Sequence, residues 1–247
     1  MKVLGIIAEY NPFHYGHLYH LKKSRELVRP DFVIAVMSGN FTQRGEAAIT
    51  DKWIRAEAAV RCGIDLVLEL PAVYAVQTAE LFAYGGVQML NHTGLTTYLS
   101  FGSETGSLKP LEAVADLLVP ENRAYRDFLK TYLDQGLSFP AARCRAVLDC
   151  RAFAPDDSAV SAESADTVKR ILSDSNSILA VEYLKALKKT GSPILPVTVP
   201  RIRSSYRSPK IKKGITSAAS IRREIMQNGL NEKVRDAVPE TAFSILS

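Results

Sequence analysis

The sequence predicts an α/β fold: an open parallel sheet with helices on both sides and an added helical region. Three observations predict it. The apolar runs Val3–Ala8, Phe32–Met37 and Leu66–Leu70 are continuous rather than alternating, as expected of strands covered on both faces. Stretches with helical spacing separate these runs, and strand–helix alternation builds a parallel sheet through crossovers. The first run also leads straight into a His- and Gly-bearing turn, and open parallel sheets bind ligands beyond the carboxyl ends of their strands.

Taken in order, Val3–Ala8 is the first strand. Gly16–Val28 has helical spacing, with Leu18, Leu21 and Leu27 on one side. Phe32–Met37 is the second strand, closed by Ser38, Gly39 and Asn40. Asp51–Arg61 is a helix whose N-cap is Asp51. Leu66–Leu70 is a third strand, stopped by Pro71. Gln77–Leu90 is helical, Thr96–Phe101 is a fourth strand, and Ile194–Val199 is a late one before Pro200. Residues 108–190 read as largely helical, with an Ala-, Ser- and Asp-rich mobile loop over 151–166. The expected organisation is one nucleotide-binding domain over 1–230. Residues 231–247 are weakly patterned and read as the start of a C-terminal segment that is cut short.

The 247 residues are 47% hydrophobic and 23% charged, enough to build a large core. No apolar run approaches the roughly 20 residues of a membrane span, so no membrane role is expected. The N-terminus turns polar within ten residues and lacks the pattern of a secretory signal. Cys62, Cys144 and Cys150 show no paired spacing, which fits free thiols in a reducing cytoplasm. The net charge of +5 is local. Eight basic residues and no acidic ones lie between Arg201 and Arg223, and the rest of the chain sets 23 basic residues against 26 acidic ones. Such a stripe commonly meets phosphate, on a nucleotide or on nucleic acid.

The run Asn11-Pro12-Phe13-His14-Tyr15-Gly16-His17 carries the chemistry. A helix starts there, and its free N–H groups and partial positive charge suit a phosphate. Histidines at i and i+3 share a face, where imidazoles can donate to charge growing at an α-phosphate. His20 continues the spacing. However, the thiolates or carboxylates that zinc usually recruits are not nearby in sequence, so no metal site is expected. A second cluster, Ile215-Thr216-Ser217-Ala218-Ala219-Ser220-Ile221-Arg222, joins hydroxyls and one Arg at a late helix start.

The first cluster resembles the HxGH motif of the nucleotidyltransferases, and the second resembles their Ile-Ser-Ser-Thr-x-x-Arg motif with Ala219 in place of a hydroxyl. The chain as a whole resembles the bacterial tRNA(Met) cytidine acetate ligase family. The carrying segments are Ile7-Ala8-Glu9-Tyr10-Asn11-Pro12-Phe13-His14-Tyr15-Gly16-His17-Leu18-Tyr19-His20 and Met37 through Glu46, with Leu99 through Glu104, Ser175 through Ala180, and Arg201-Ile202. The resemblance implies a Rossmann-like HxGH domain that activates acetate with ATP, with Mg²⁺ accompanying the triphosphate. The acetyl group would then pass to the wobble cytidine of elongator tRNA(Met).

The resemblance also implies an ATP site made of Ile7 through His20, Gly102, Asn176, Arg201 and Ile202. His14, His17 and Arg222 would be catalytic, and Gly102 would let the adenosine approach the backbone. Lys22, Lys23, Arg44 and Arg223 are further candidates to neutralise pyrophosphate. Arg44, Arg203, Arg207, Lys210, Lys212 and Lys213 are the candidate nucleic-acid contacts. A small-molecule adenylyl- or cytidylyltransferase and a non-catalytic RNA-binding module remain as alternatives, because fold alone does not fix substrate. The oligomeric state is not legible.

Overall fold

The computed structural model describes residues 1–119, 123–152, 163–202 and 215–246. In chain order the elements are β1 (Val3–Ala8), α1 (Tyr15–Val28), β2 (Phe32–Ser38), α2 (Lys52–Arg61), β3 (Leu66–Leu70), α3 (Ala72–Ala75), α4 (Ala79–His92) and β4 (Tyr98–Ser103). There follow α5 (Leu108–Leu118), α6 (Arg123–Asp134), α7 (Phe139–Ala152), α8 (Ala165–Ser173), α9 (Ser175–Lys189), β5 (Leu195–Pro200), α10 (Ala218–Asn228), α11 (Glu232–Arg235) and α12 (Glu240–Leu246). The expected α/β class and helical middle region are both present. Most of the 151–166 stretch lies outside the described residues, apart from the end of α7 and the start of α8.

The five strands form one parallel sheet in the order β3-β2-β1-β4-β5. The chain winds outward from β1 on one side and returns on the other, so strand order reverses between β1 and β4, where such sheets hold ligands. The pairing there is short: Leu4 meets Tyr98, Gly5 meets Leu99, and Ile6 meets Ser100. Beyond Ile6 and Ser100 the two strands part, and the cleft opens at that point.

Alternation along the strands builds two cores. Val33, Ala35 and Met37 of β2 join Leu4 and Ile6 of β1 beneath α1 and α2. Ile34 and Val36 face the opposite way, into the larger core under α4, α5, α7, α8 and α9. Residues 231–246 pack on the first of these layers, where Val234, Ala237, Val238 and Ala242 are fully buried.

The carboxyl ends of β1 and β2 are tied by one buried cation. Arg55 of α2 is 1% exposed. Its guanidinium donates to the carbonyls of Glu9 (2.6 Å), Ser38 (3.1 Å) and Thr50 (3.3 Å), and also to that of Gly39. The fork of five donors in Arg suits this task. Burial pulls its pKa downward, and the charges of Glu9, Asp51 and Glu69 oppose that shift.

Candidate functional site

A cavity of about 560 Å³ lies in the cleft between β1 and β4. The start of α1 forms one wall. His14 is its N-cap, in extended backbone conformation, and its Nδ1 accepts from the Gly16 N–H at 2.9 Å. His17 Nδ1 accepts from the His14 N–H at 3.3 Å, which completes a reciprocal capping box. The two rings stack with centroids 3.8 Å apart. Since each Nδ1 is an acceptor, each neutral ring carries its proton on Nε2. Both rings line the cavity, so they bring two N–H donors to it.

His20 follows the same logic by a longer route. Ser24 Oγ donates to the His20 carbonyl at 2.7 Å, so it must accept from Ser100 Oγ at 2.6 Å. The Ser100 proton is thereby used, and His20 Nε2–H donates to Ser100 Oγ at 3.0 Å. His20 is therefore a tethered part of the cavity wall. Among the described residues, no group of three or more His, Cys, Asp or Glu side chains could hold a metal ion.

All three imidazoles are held neutral. Burial, reinforced by Arg201 and Arg222, pulls His14 down to about 3. Burial and then Arg201 pull His20 down to about 4. His17 is lowered well below its usual value by burial, then by His14, His20 and Arg201. As pH falls below about 6.5, the unfolded chain takes protons that the folded chain refuses. These rings thus contribute stability above their free pKa that is lost toward pH 4 and 3. The melting temperature should therefore be several degrees lower at about pH 5 than at about pH 7.5. Equal melting temperatures would contradict the neutral burial of these rings.

Gly16 makes room for the ring of the cap that precedes it. A Cβ there would sit 2.7 Å from Cε1 and 2.9 Å from Nδ1 of His14. Gly16→Ala should displace that ring and cost about 1–2 kcal/mol through overpacking and the lost cap, which calorimetry would read.

A second helix start meets the first. Ser217 caps α10, its Oγ accepting from the Ser220 N–H at 3.2 Å. Thr216 is buried, and Arg222 Nη1 donates to the Asn11 carbonyl at 2.9 Å. Ile215 through Ala219 and Arg222 line the cavity. The two motifs, about 200 residues apart in sequence, thus converge as two helix N-termini with an Arg between them, a strong anion site.

The β4 side is polar. Asn176 Nδ2 donates to Glu104 Oε1 at 3.2 Å, and Arg201 lies 3.6 Å from the same oxygen. A Cβ on Gly102 would come within 3.2 Å of Arg201 Cγ, so Gly102 makes room for the stem of Arg201.

The expected nucleotide-site run divides in two. Glu9, Tyr10, His14, Gly16, His17 and Tyr19 line the cavity, as do Ile7, Ala8, His20, Gly102, Asn176, Arg201 and Ile202. Asn11, Pro12, Phe13, Tyr15 and Leu18 do not. Phe13 is core at 1% exposure, Leu18 packs on the same core, and the Tyr15 N–H bonds the Ala237 carbonyl. Asn11 is buried and accepts from the Ile49 N–H at 2.8 Å. These five hold the turn in place. Of the further cations, Arg44 and Arg222 reach the cavity, whereas Lys22, Lys23 and Arg223 do not; Lys23 pairs with Glu26. Arg203, Arg207, Lys210, Lys212 and Lys213 lie outside the described residues.

Residues 1–247 match the model of the family described as HIGH Nucleotidyl Transferase. The chain belongs to this family. Its relatives narrow the likeness. It is 48% identical over 246 residues to the tRNA(Met) cytidine acetate ligase of Thermoanaerobacter sp. (strain X514), covering 100% of this chain and 58% of that protein. It is 45% identical over 249 residues to the ligase of Acetivibrio thermocellus, covering 57% of it. The crystal structure of Thermotoga maritima TmcAL bound with alpha-thio ATP superposes with a TM-score of 0.89 at 44% identity, over all of this chain and 55% of that one. The apo form superposes at 0.92. The chain thus spans a little over half the length of these relatives. No helix among the described residues is long and apolar enough to cross a membrane.

This HIGH-family site also holds residues that the sequence reading missed. Phe82 of α4 and Leu179 and Tyr183 of α9 line the cavity from the opposite sheet face. Phe82 and Tyr183 lie outside every motif, and Leu179, although inside the Ser175–Ala180 segment, has apolar helical spacing that reads the same for a core residue as for a site wall.

Proposed function

We propose that this chain carries the ATP-dependent acetate-activating site of a tRNA(Met) cytidine acetate ligase. The observation that supports it best is the pair of capped, stacked imidazoles, each with its Nε2–H free for the cavity, facing the capped start of α10 and Arg222. An acetate oxygen attacks the α-phosphorus of ATP, the bond to the β-phosphate bridge breaks, and negative charge grows on the leaving pyrophosphate. Preformed donors in a partly dry cavity stabilise that charge without reorganising. His14, His17 and the helix N–H groups supply the donors, and Arg222 adds a fixed positive charge. Acetate is the nucleophile, so the protein's part is alignment and charge.

Mg²⁺ would travel with the triphosphate. The described residues offer no carboxylate cage for it, and a phosphate-held Mg²⁺ needs few protein ligands. The acetyl-adenylate would then acetylate N4 of the wobble cytidine of elongator tRNA(Met). The basic stretch Arg201–Arg223 supports an RNA partner, and Arg44 stands exposed at the cavity rim.

The test is incubation with ATP, Mg²⁺, labelled acetate and elongator tRNA(Met), followed by mass analysis of the tRNA nucleosides. N4-acetylcytidine that requires all components supports the reading. ATP cleavage that ignores acetate and tRNA would favour a small-molecule nucleotidyltransferase instead.

A further inference from the structure

The cavity crosses from one sheet face to the other, and its two sides differ in chemistry. The side built from α1 and α10 presents the neutral imidazoles, the hydroxyls of Thr216 and Ser217 and the charge of Arg222. The other side holds Phe82, Leu179 and Tyr183, with Glu9 at the end of β1 between the two. Tyr183 is 3% exposed, its ring lies 5.8 Å from that of Phe101, and its hydroxyl is buried without a hydrogen-bond partner. A buried hydroxyl left without a partner is costly, so this one is suited to a ligand group. Burial, with the charge of Glu9 adding to it, pushes its pKa far up, which keeps it a donor.

Glu9 is half-buried, and the one described hydrogen-bond partner of its carboxylate is the main-chain N–H of Gln43 at 2.8 Å, its carbonyl being taken by Arg55. A carboxylate repels phosphate and acetate alike at close range, so Glu9 is unsuited to the phosphate chain of ATP and to acetate. It is suited to a neutral N–H donor. Cytosine presents an exocyclic amine, which Glu accepts, next to the ring acceptor N3. A carboxylate beside a phenol supplies the complementary acceptor and donor.

Acyl transfer also needs a base. His14 and His17 have their basic Nδ1 atoms committed to the helix caps, His20 is tethered through Nε2 to Ser100, and Glu46, the other carboxylate lining the cavity among the described residues, is exposed.

On this basis, and resting on the ligase reading, we propose that Glu9 and Tyr183 form the acceptor subsite: Tyr183 fixes the cytosine ring, and Glu9 binds its N4 amine and takes its proton during transfer. The N4 lone pair forms a bond to the carbonyl carbon of acetyl-adenylate. The bond from that carbon to the phosphate oxygen breaks, AMP leaves with the electron pair, and one N4 proton passes to the carboxylate of Glu9. Phe82 and Leu179 provide apolar walls that keep water from the reactive anhydride.

The test separates the two half-reactions in the intact protein. Acetate-dependent exchange between ATP and pyrophosphate reads activation, and single-turnover formation of N4-acetylcytidine reads transfer. Glu9→Gln retains an oxygen for the Gln43 N–H, so the adjoining loop keeps its anchor. The expected result is a fall of about 100-fold in the ratio of transfer to exchange for Glu9→Gln, and a rise of roughly tenfold in the KM for tRNA for Tyr183→Phe. An unchanged ratio overturns this proposal alone. A raised KM for ATP in both variants also overturns it, because the pair would then read adenine. Absence of acetate-dependent exchange in the unsubstituted protein overturns the ligase reading, and this proposal with it.

Discussion

Replacing His14 or His17 by Asn should lower acetate-dependent pyrophosphate release by about 100-fold or more while leaving the melting temperature nearly unchanged. The choice of Asn follows from the geometry. The amide oxygen of Asn sits near the position of the imidazole Nδ1, the atom that caps the Gly16 N–H in one case and the His14 N–H in the other. The helix start would keep its cap, and only the Nε2–H donor to the cavity would be lost. Gln reverses the exchange, reaching further but giving up the cap. The double variant should be little worse than either single one, since the stacked rings act as a unit. A variant that loses its cap and unfolds would show a structural role for the pair, whereas an unchanged rate would remove it from the chemistry.

Arg55→Ala should produce the largest loss of stability. Four main-chain carbonyls, those of Glu9, Ser38, Gly39 and Thr50, receive hydrogen bonds from this one buried guanidinium. Truncation leaves them without that donor in a closed space, at a cost of about 3 kcal/mol or more. For a chain of this size that corresponds to a fall in melting temperature of roughly 6–12 °C. Activity should fall as well, because Arg55 holds the carboxyl ends of β1 and β2, which carry Glu9 and the Gly39–Glu46 turn to the cavity. Arg55→Lys should recover only part, since an ammonium cannot span all four acceptors. A melting temperature within about 2 °C of the parent would show that the carbonyls find other partners.

Much of the fold was legible because the signals are local. β1 and β2 are mostly buried, so their apolar runs stand out, whereas β3 is the edge strand, with Leu66 and Glu69 exposed and only Leu70 fully buried, because no further strand covers that side. Asp51 caps α2 through its Oδ1 as its position implied. The helix α3 was missed because four residues after Pro71 give no period to detect. The fourth strand begins later than its apolar run, since Thr97 is used to bond Val3 on the neighbouring strand.

The HxGH turn could be read from sequence because one helix start builds it. Convergence of α10 on the same cavity followed from motif resemblance, and the fold realises it through the bond from Arg222 to Asn11. Arg55, Glu9 as an acceptor-side carboxylate, and Tyr183 were not legible. Their roles come from burial and from neighbours far away in sequence, and an Arg or Tyr on an amphipathic helix gives no sign of which layer will close over it.

The most direct test of the account is isotope exchange between ATP and pyrophosphate, measured with and without acetate, in the parent chain and in His17→Asn. The expected result is exchange that requires acetate and falls by about 100-fold in the variant. Exchange that proceeds equally without acetate, or that survives the loss of the His17 donor, would contradict it.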